Sequence, residues 1–118
     1  QKFIITAGRA ADYPPVYGKI DEICMKMQED YNKSLTVSHY ADLCNLSESR
    51  FAHLFKEKCG ISPKKYITKI KISTALNLLT DSDLPLAEIS SIVGFEDYNY
   101  FCRIIKKETG LSPSCFRK

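Results

Sequence analysis

Apolar residues fall at helical spacing through most of this chain, and the pattern breaks only where turn-forming residues stand. From Gly18 on, Ile20, Ile23, Cys24, Met27 and Tyr31 lie at i, i+3, i+4, i+7 and i+11, one helical face that Asn32-Lys33-Ser34 ends. Thr36 is suited to cap a second helix whose buried side is Val37, Tyr40, Ala41 and Cys44. Asn45 then reads as a left-handed turn residue, with Leu46 packing behind it. Ser47 caps a third helix with Phe51, Leu54 and Phe55 inward. Glu48 sits in its first turn, where the helix dipole favours an anion, and Gly60 stops it. Ser62-Pro63 restarts helix at once, with Tyr66, Ile67, Ile70, Ala75, Leu76, Leu78 and Leu79 running on to Thr80 without a breaker. That helix would be about 27 Å long at ~1.5 Å per residue. A loop over residues 81–85 follows, then Leu86, Ile89, Ser90 and Val93 facing inward, and Gly94 as the next turn residue. Glu96-Asp97 caps a helix with Phe101, Ile104 and Ile105 inside, and Ser112-Pro113 opens a last short turn.

Two of these stretches are copies of one another. Residues 51–63 return as residues 101–113, at an offset of 50, and residues 37–45 return as 86–94, at an offset of 49. The slip of one residue falls where a turn is expected. A turn absorbs an insertion, whereas a helix would have its apolar face rotated by it. Each copy therefore predicts helix, turn, helix, and two such units in one short chain point to a periodic partner such as duplex DNA.

Residues 1–16 hold no sustained periodicity, and Tyr13-Pro14-Pro15 breaks a helix, so 1–17 is expected to be a linker or the remnant of an upstream domain. The first residue is Gln, which reads as a piece of a longer protein. With 118 residues there is room for one or two small cores and little for a deep catalytic cleft. No run approaches the roughly 20 apolar residues of a membrane span, and no secretory leader is evident. The five cysteines are odd in number and lack C-x-x-C spacing, which points to small apolar thiols kept reduced in a cytoplasm rather than a disulfide framework or zinc site.

The net charge of +3 hides an uneven distribution. Residues 47–71 carry seven Lys or Arg against two Glu, and residues 98–118 carry five against one. Residues 72–97 have five acids and no Lys or Arg. The positive charge thus collects on the second helix of each copy and just after it, in equivalent places, which favours phosphate binding over a merely solvated face.

In such a unit the second helix lays its N-terminal half in the major groove. The side chains expected to point away from the core there are Ser49, Arg50, Ala52, His53 and Lys56 in the first copy, and Tyr98, Asn99, Tyr100, Cys102, Arg103 and Lys106 in the second. Asn pairs with adenine and Arg with guanine, while Ala or Cys meets a thymine methyl. The lesser alternative for Arg103, Asn99 and His53 is a solvated polar residue, while Tyr98 or Tyr100 is expected to be partly core or phosphate-facing. Lys56, Lys58, Lys64, Lys65, Lys106, Lys107, Arg117 and Lys118 are the expected phosphate partners. Because Ser49, Ala52 and His53 are short or weakly basic, the second unit is expected to read bases and the first mainly to hold backbone. For catalysis there is little: His39 and His53 lie on different helices without a matched acid, and no phosphate loop, carboxylate pair or metal cluster is evident, so no cofactor is expected.

The residues Ala41, Leu46-Ser47, Arg50-Phe51, Leu54-Phe55-Lys56 and Gly60-Ile61-Ser62-Pro63 resemble the DNA-binding domain of AraC/XylS-type transcription regulators. So do Ala87-Glu88-Ile89, Val93-Gly94-Phe95, Tyr100-Phe101, Arg103, Lys106-Lys107, Gly110-Leu111-Ser112-Pro113 and Phe116-Arg117. The resemblance covers residues 18–118. It implies an all-α fold of about seven helices, with helix-turn-helix subdomains at about 18–62 and 81–118 joined by a linker helix at about 63–80. It implies recognition helices in two adjacent major grooves of double-stranded DNA, in a cytoplasmic bacterial protein without enzyme activity. It also implies an upstream effector or receiver domain, RNA polymerase as partner if the parent is an activator, and no membrane. Pro85 departs from the pattern, standing where the family often has a capping Ser or Thr. The rivals are a helical protein-interaction module that has lost DNA binding, and an alkylation-repair enzyme with a reactive Cys. Against the second, no cysteine has a neighbouring Cys or His in sequence to lower its pKa.

Overall fold

The helical periods of the chain become six α-helices and one 3-10 turn in the computed structural model, which describes residues 15–33 and 35–117. Residues 1–14 of the expected linker and the expected phosphate partner Lys118 lie outside the described residues. No strand is present among those described, so the all-α expectation holds. The helices are α1 (Pro15–Asp30), α2 (Val37–Leu43), α3 (Glu48–Cys59), α4 (Pro63–Asp81), α5 (Leu86–Ile92) and α6 (Tyr98–Thr109), followed by the 3-10 turn Pro113–Phe116.

Two elements differ from expectation. α1 begins at Pro15, inside the stretch read as linker. A proline breaks a helix from within but starts one well, since its missing N–H falls where no intrahelical bond exists. The long helix α4 is also more than a linker. Its Ile72, Ala75 and Leu79 are buried with Ile89, Val93, Phe95, Phe101 and Ile105 in one core. Ile72 was absent from the expected apolar face.

The described helices fall into two compact units, one holding α1 up to Lys26 and Thr36–Pro63, the other Met27–Leu35 and α4 onward. In the first, Ile20, Ile23, Tyr40, Ala41, Phe51, Leu54 and Phe55 are buried, and the rings of Phe51 and Phe55 stand 5.7 Å apart. Thr36 accepts from the His39 amide at 3.2 Å and Ser47 from the Arg50 amide at 3.1 Å. Each cap satisfies an otherwise orphaned donor at a helix start.

The repeat in sequence is a repeat in backbone. Leu46 N donates to Ala41 O at 3.0 Å, and at an offset of 49 Phe95 N donates to Ser90 O at 3.0 Å. The extra residue of the second copy lies beyond that bond, in the turn before α6, where Asp97 caps by accepting from the Asn99 amide at 2.9 Å. Pro85 stands at the N-cap of α5 without a side-chain bond.

Asn45 and Gly94 hold matched left-handed positions, at φ 58° and 93°. Their chemistry differs because their neighbours differ. A Cβ on Gly94 would come 3.0 Å from Asn32 Cα and 3.3 Å from Tyr31 O, both backbone atoms at the end of α1. Gly60, at φ 85°, caps α3 with open space around it. Gly60→Ala should therefore cost only the left-handed strain, about 1–2 kcal/mol. Gly94→Ala should cost clearly more, because backbone cannot swing aside. Urea denaturation of both variants checks this, and equal losses would contradict it.

Candidate nucleic-acid interface

α3 and α6 each turn one face to solvent along their length, because their inner faces hold Phe51, Leu54 and Phe55 in the one and Phe101 and Ile105 in the other. On α3, Ser49, Arg50 and His53 are exposed and Ala52 is half-buried. His53 Nε2 lies 3.5 Å from Glu57 Oε2, one turn on. On α6, Asn99 and Arg103 are exposed, while Cys102, matched to Ala52, is again half-buried.

Tyr98 and Tyr100 are about two-fifths exposed, and each has a packed side. Tyr100 lies against Phe95 with ring centroids 5.9 Å apart, and the Arg103 guanidinium stands 5.8 Å from the Tyr100 ring centre. The ring restricts the guanidinium's freedom while leaving its edge open to a base. Tyr98 bonds to Cys102, and that bond, with some burial, raises its hydroxyl above the ordinary phenol range.

The expected phosphate partners divide. Lys56 ends α3 and Lys106 and Lys107 end α6, all exposed, where they also suit the negative end of the helix dipole. Lys64 and Lys65 are exposed in the first turn of α4. Lys58 is not available in the same way: its ammonium is 3.1 Å from Asp21 Oδ1 on α1, and its side chain is only 26% exposed. Arg117 is turned inward. Its Nη1 donates to Leu84 O, and its Nε and Nη2 are buried without a hydrogen-bond partner. It fastens the C-terminal turn to the loop between α4 and α5, so the phosphate role expected of it is corrected.

Two residues escaped the sequence reading. Lys69, exposed four positions after Lys65 on α4, could have been found from i, i+4 spacing. Lys71 has no such signal. Its ammonium donates to Gly94 O at 3.2 Å and lies 5.2 Å from the Phe95 ring centre. Burial lowers its pKa, partly opposed by Glu96. It braces the turn from which α6 departs.

The cysteines are less buried than small apolar residues would be: Cys24, Cys44, Cys59 and Cys102 are half-buried and Cys115 is exposed. The fold brings Cys24 and Cys59 together across α1 and α3, although the sequence places no cysteines side by side. Burial raises the thiols of Cys44 and Cys59 above their ordinary range, the reverse of an activated nucleophile. No cluster of three or more metal-ligating side chains exists among the described residues.

The Helix-turn-helix domain family model matches residues 40–118. The chain is 36% identical over 106 residues to the Arabinose operon regulatory protein of Escherichia coli (strain K12), an overlap of 89% of this chain and 36% of that protein. It is 34% identical over 99 residues to the MmsAB operon regulatory protein of Pseudomonas aeruginosa, an overlap of 84% of this chain and 32% of that protein. The chain thus spans about a third of the length of these curated relatives. The C-terminal domain of AraT, a response regulator from Geobacillus stearothermophilus, superposes with a TM-score of 0.79 at 30% identity, over 88% of this chain and 84% of that one.

The division of cations is testable. Arg117→Ala should lower stability by about 1–3 kcal/mol, through the lost tie to Leu84, without changing the salt dependence of nucleic-acid binding. Lys107→Ala should do the reverse, making the salt slope shallower by about one. Urea melts beside salt titrations separate the two, and an Arg117→Ala variant of full stability with a shallower slope would restore the phosphate role.

Proposed function

The chain belongs to the helix-turn-helix family of AraC/XylS-type transcription regulators, and from that membership we propose that it binds double-stranded DNA in a sequence-dependent way, laying α3 and α6 each in a major groove. The family and fold are those of DNA-binding regulators rather than enzymes. The observation that carries the proposal is the pairing, on each exposed helix, of base-competent side chains near the start with lysines at the end. Arg50 and His53 precede Lys56 on α3, and Asn99 and Arg103 precede Lys106 and Lys107 on α6.

Within this reading, Arg103 meets a guanine edge and Asn99 an adenine edge, while Ser49, Arg50, Ala52 and His53 line the first groove with shorter reach. Tyr98, Tyr100 and Cys102 flank the second. Lys56, Lys64, Lys65, Lys106 and Lys107 neutralise phosphates and release counterions. The second unit supplies most of the base readout, and the first holds mainly backbone.

The parent protein couples this domain to an upstream effector or receiver domain and meets RNA polymerase where it activates. Two things support the upstream domain: the relatives are about three times longer, and AraT is a response regulator. No described helix is long and apolar enough to cross a membrane, which accords with a cytoplasmic place of action.

Five phosphate contacts imply that log K falls against log salt with a slope of about −4 to −5. A salt titration on duplex DNA checks it, and a slope near zero would favour a protein partner instead. Arg103→Ala should cost about 1–3 kcal/mol and relax preference at one base pair. Should it weaken specific and non-specific DNA alike, Arg103 is a backbone contact.

A further inference from the structure

We propose that Cys24 and Cys59 form a dithiol site that closes to an intramolecular disulfide when it meets a peroxide, fastening α1 to the end of α3. The two sulfurs lie 3.8 Å apart and share a hydrogen bond, although the residues are 35 positions apart in sequence. A disulfide needs about 2.05 Å, so the sulfurs must approach by a further distance of under ~2 Å.

The approach is prepared by a second tie. Lys58, adjacent to Cys59, pairs with Asp21, three residues before Cys24, at 3.1 Å. Cys59 can take up the remaining shift, being the last residue of α3 and beside a glycine cap with open space around it. Helix ends give most readily at such a place. Both residues are half-buried, so a small oxidant can reach them. Two of the other thiols have different partners: Cys102 bonds to Tyr98, and Cys115 lies 3.3 Å from Ser112 Oγ.

The chemistry balances with a peroxide as the named co-reactant. One sulfur, as thiolate, attacks a peroxide oxygen, forming an S–O bond and breaking O–O, with one water released from hydrogen peroxide. The second thiol attacks the resulting sulfenic sulfur, forming S–S and breaking S–O, and a second water leaves. In total the thiols lose two electrons and two protons. Burial raises the Cys59 thiol, tempered by its bond with Cys24 and by Lys58 and reinforced by Asp21, so the thiolate is scarce at neutral pH and reaction quickens as pH rises. The base-facing residues of α3 start at Ser49, about 15 Å along the helix from Cys59, so the cross-link leaves them uncovered.

The test treats the whole chain with an excess of hydrogen peroxide and maps non-reduced peptides by mass. The expected result is a Cys24–Cys59 linked peptide lighter by two hydrogens than its parts, reversed by dithiothreitol. A thermal midpoint raised by about 10–15 °C should accompany it, as a closed loop of this size implies. Cys24→Ser and Cys59→Ser should each abolish the shift, and the wild-type peptide map stands even if either variant folds poorly. Between pH 7 and 8 the rate should rise nearly tenfold. Cys24 and Cys59 oxidised separately, or joined to other cysteines, would overturn the proposal, and neither result bears on DNA binding.

Discussion

Each repeat turns on a single residue held at positive φ, and what the unit presents to a partner follows from it. At Asn45 and Gly94 the left-handed step sends the chain back, so that the next residue bonds to the carbonyl of the first helix's fifth residue. In the second unit the step is also a close approach. Only a residue without Cβ lets the turn come against the Asn32 backbone. Phe95 then falls onto Phe101, and Lys71 from α4 closes over it while holding the Gly94 carbonyl. The direction of α6, and with it the aim of Asn99 and Arg103, is set by this packing of its Phe101 against residues of the turn and of α4. In the first unit a shorter turn suffices, and Asn, which tolerates the left-handed region, serves there.

Electrostatics adds a second layer, because the cations serve two ends. Lys58, Lys71 and Arg117 direct their charge to partners of the same chain, Lys58 to Asp21 at the surface, Lys71 to the Gly94 carbonyl and Arg117 to the Leu84 carbonyl. Each fixes a turn or a helix end near an exposed helix. Lys56, Lys106 and Lys107 stay in solvent at the helix ends, where a phosphate can replace water at little cost. A basic stretch in sequence is therefore a mixture, and net charge alone overstates the surface offered to DNA.

Most of the fold was legible in the sequence, for reasons that particular residues show. Phe51, Leu54 and Phe55, and again Ile89, Val93, Phe101 and Ile105, repeat at the helical period, and Thr36, Ser47 and Asp97 cap where a short polar side chain can reach an amide. The one-residue slip between copies lies in the turn before α6. Pro15 is ambiguous in sequence, because the same ring stops a helix from within and starts one at its first position, as it does here. α4 was read as a spacer because its apolar residues scatter around the helix. Only tertiary packing selects Ile72 over its neighbours. At the candidate site, exposure is legible as far as helix position dictates it, for Asn99 and Arg103 among others. It was not legible for Lys58 and Arg117, whose long side chains go where a partner far away in sequence happens to lie.

The central claim is that both exposed helices engage duplex DNA, the second supplying most of the sequence preference. Hydroxyl-radical footprinting of this chain on a site selected from random DNA tests it most directly, with base substitutions scanned under each unit. The account predicts protection spanning about 15–20 base pairs on one face, with substitutions under α6 costly and those under α3 tolerated. Protection of that length with sharp base preference only under α3 would contradict it.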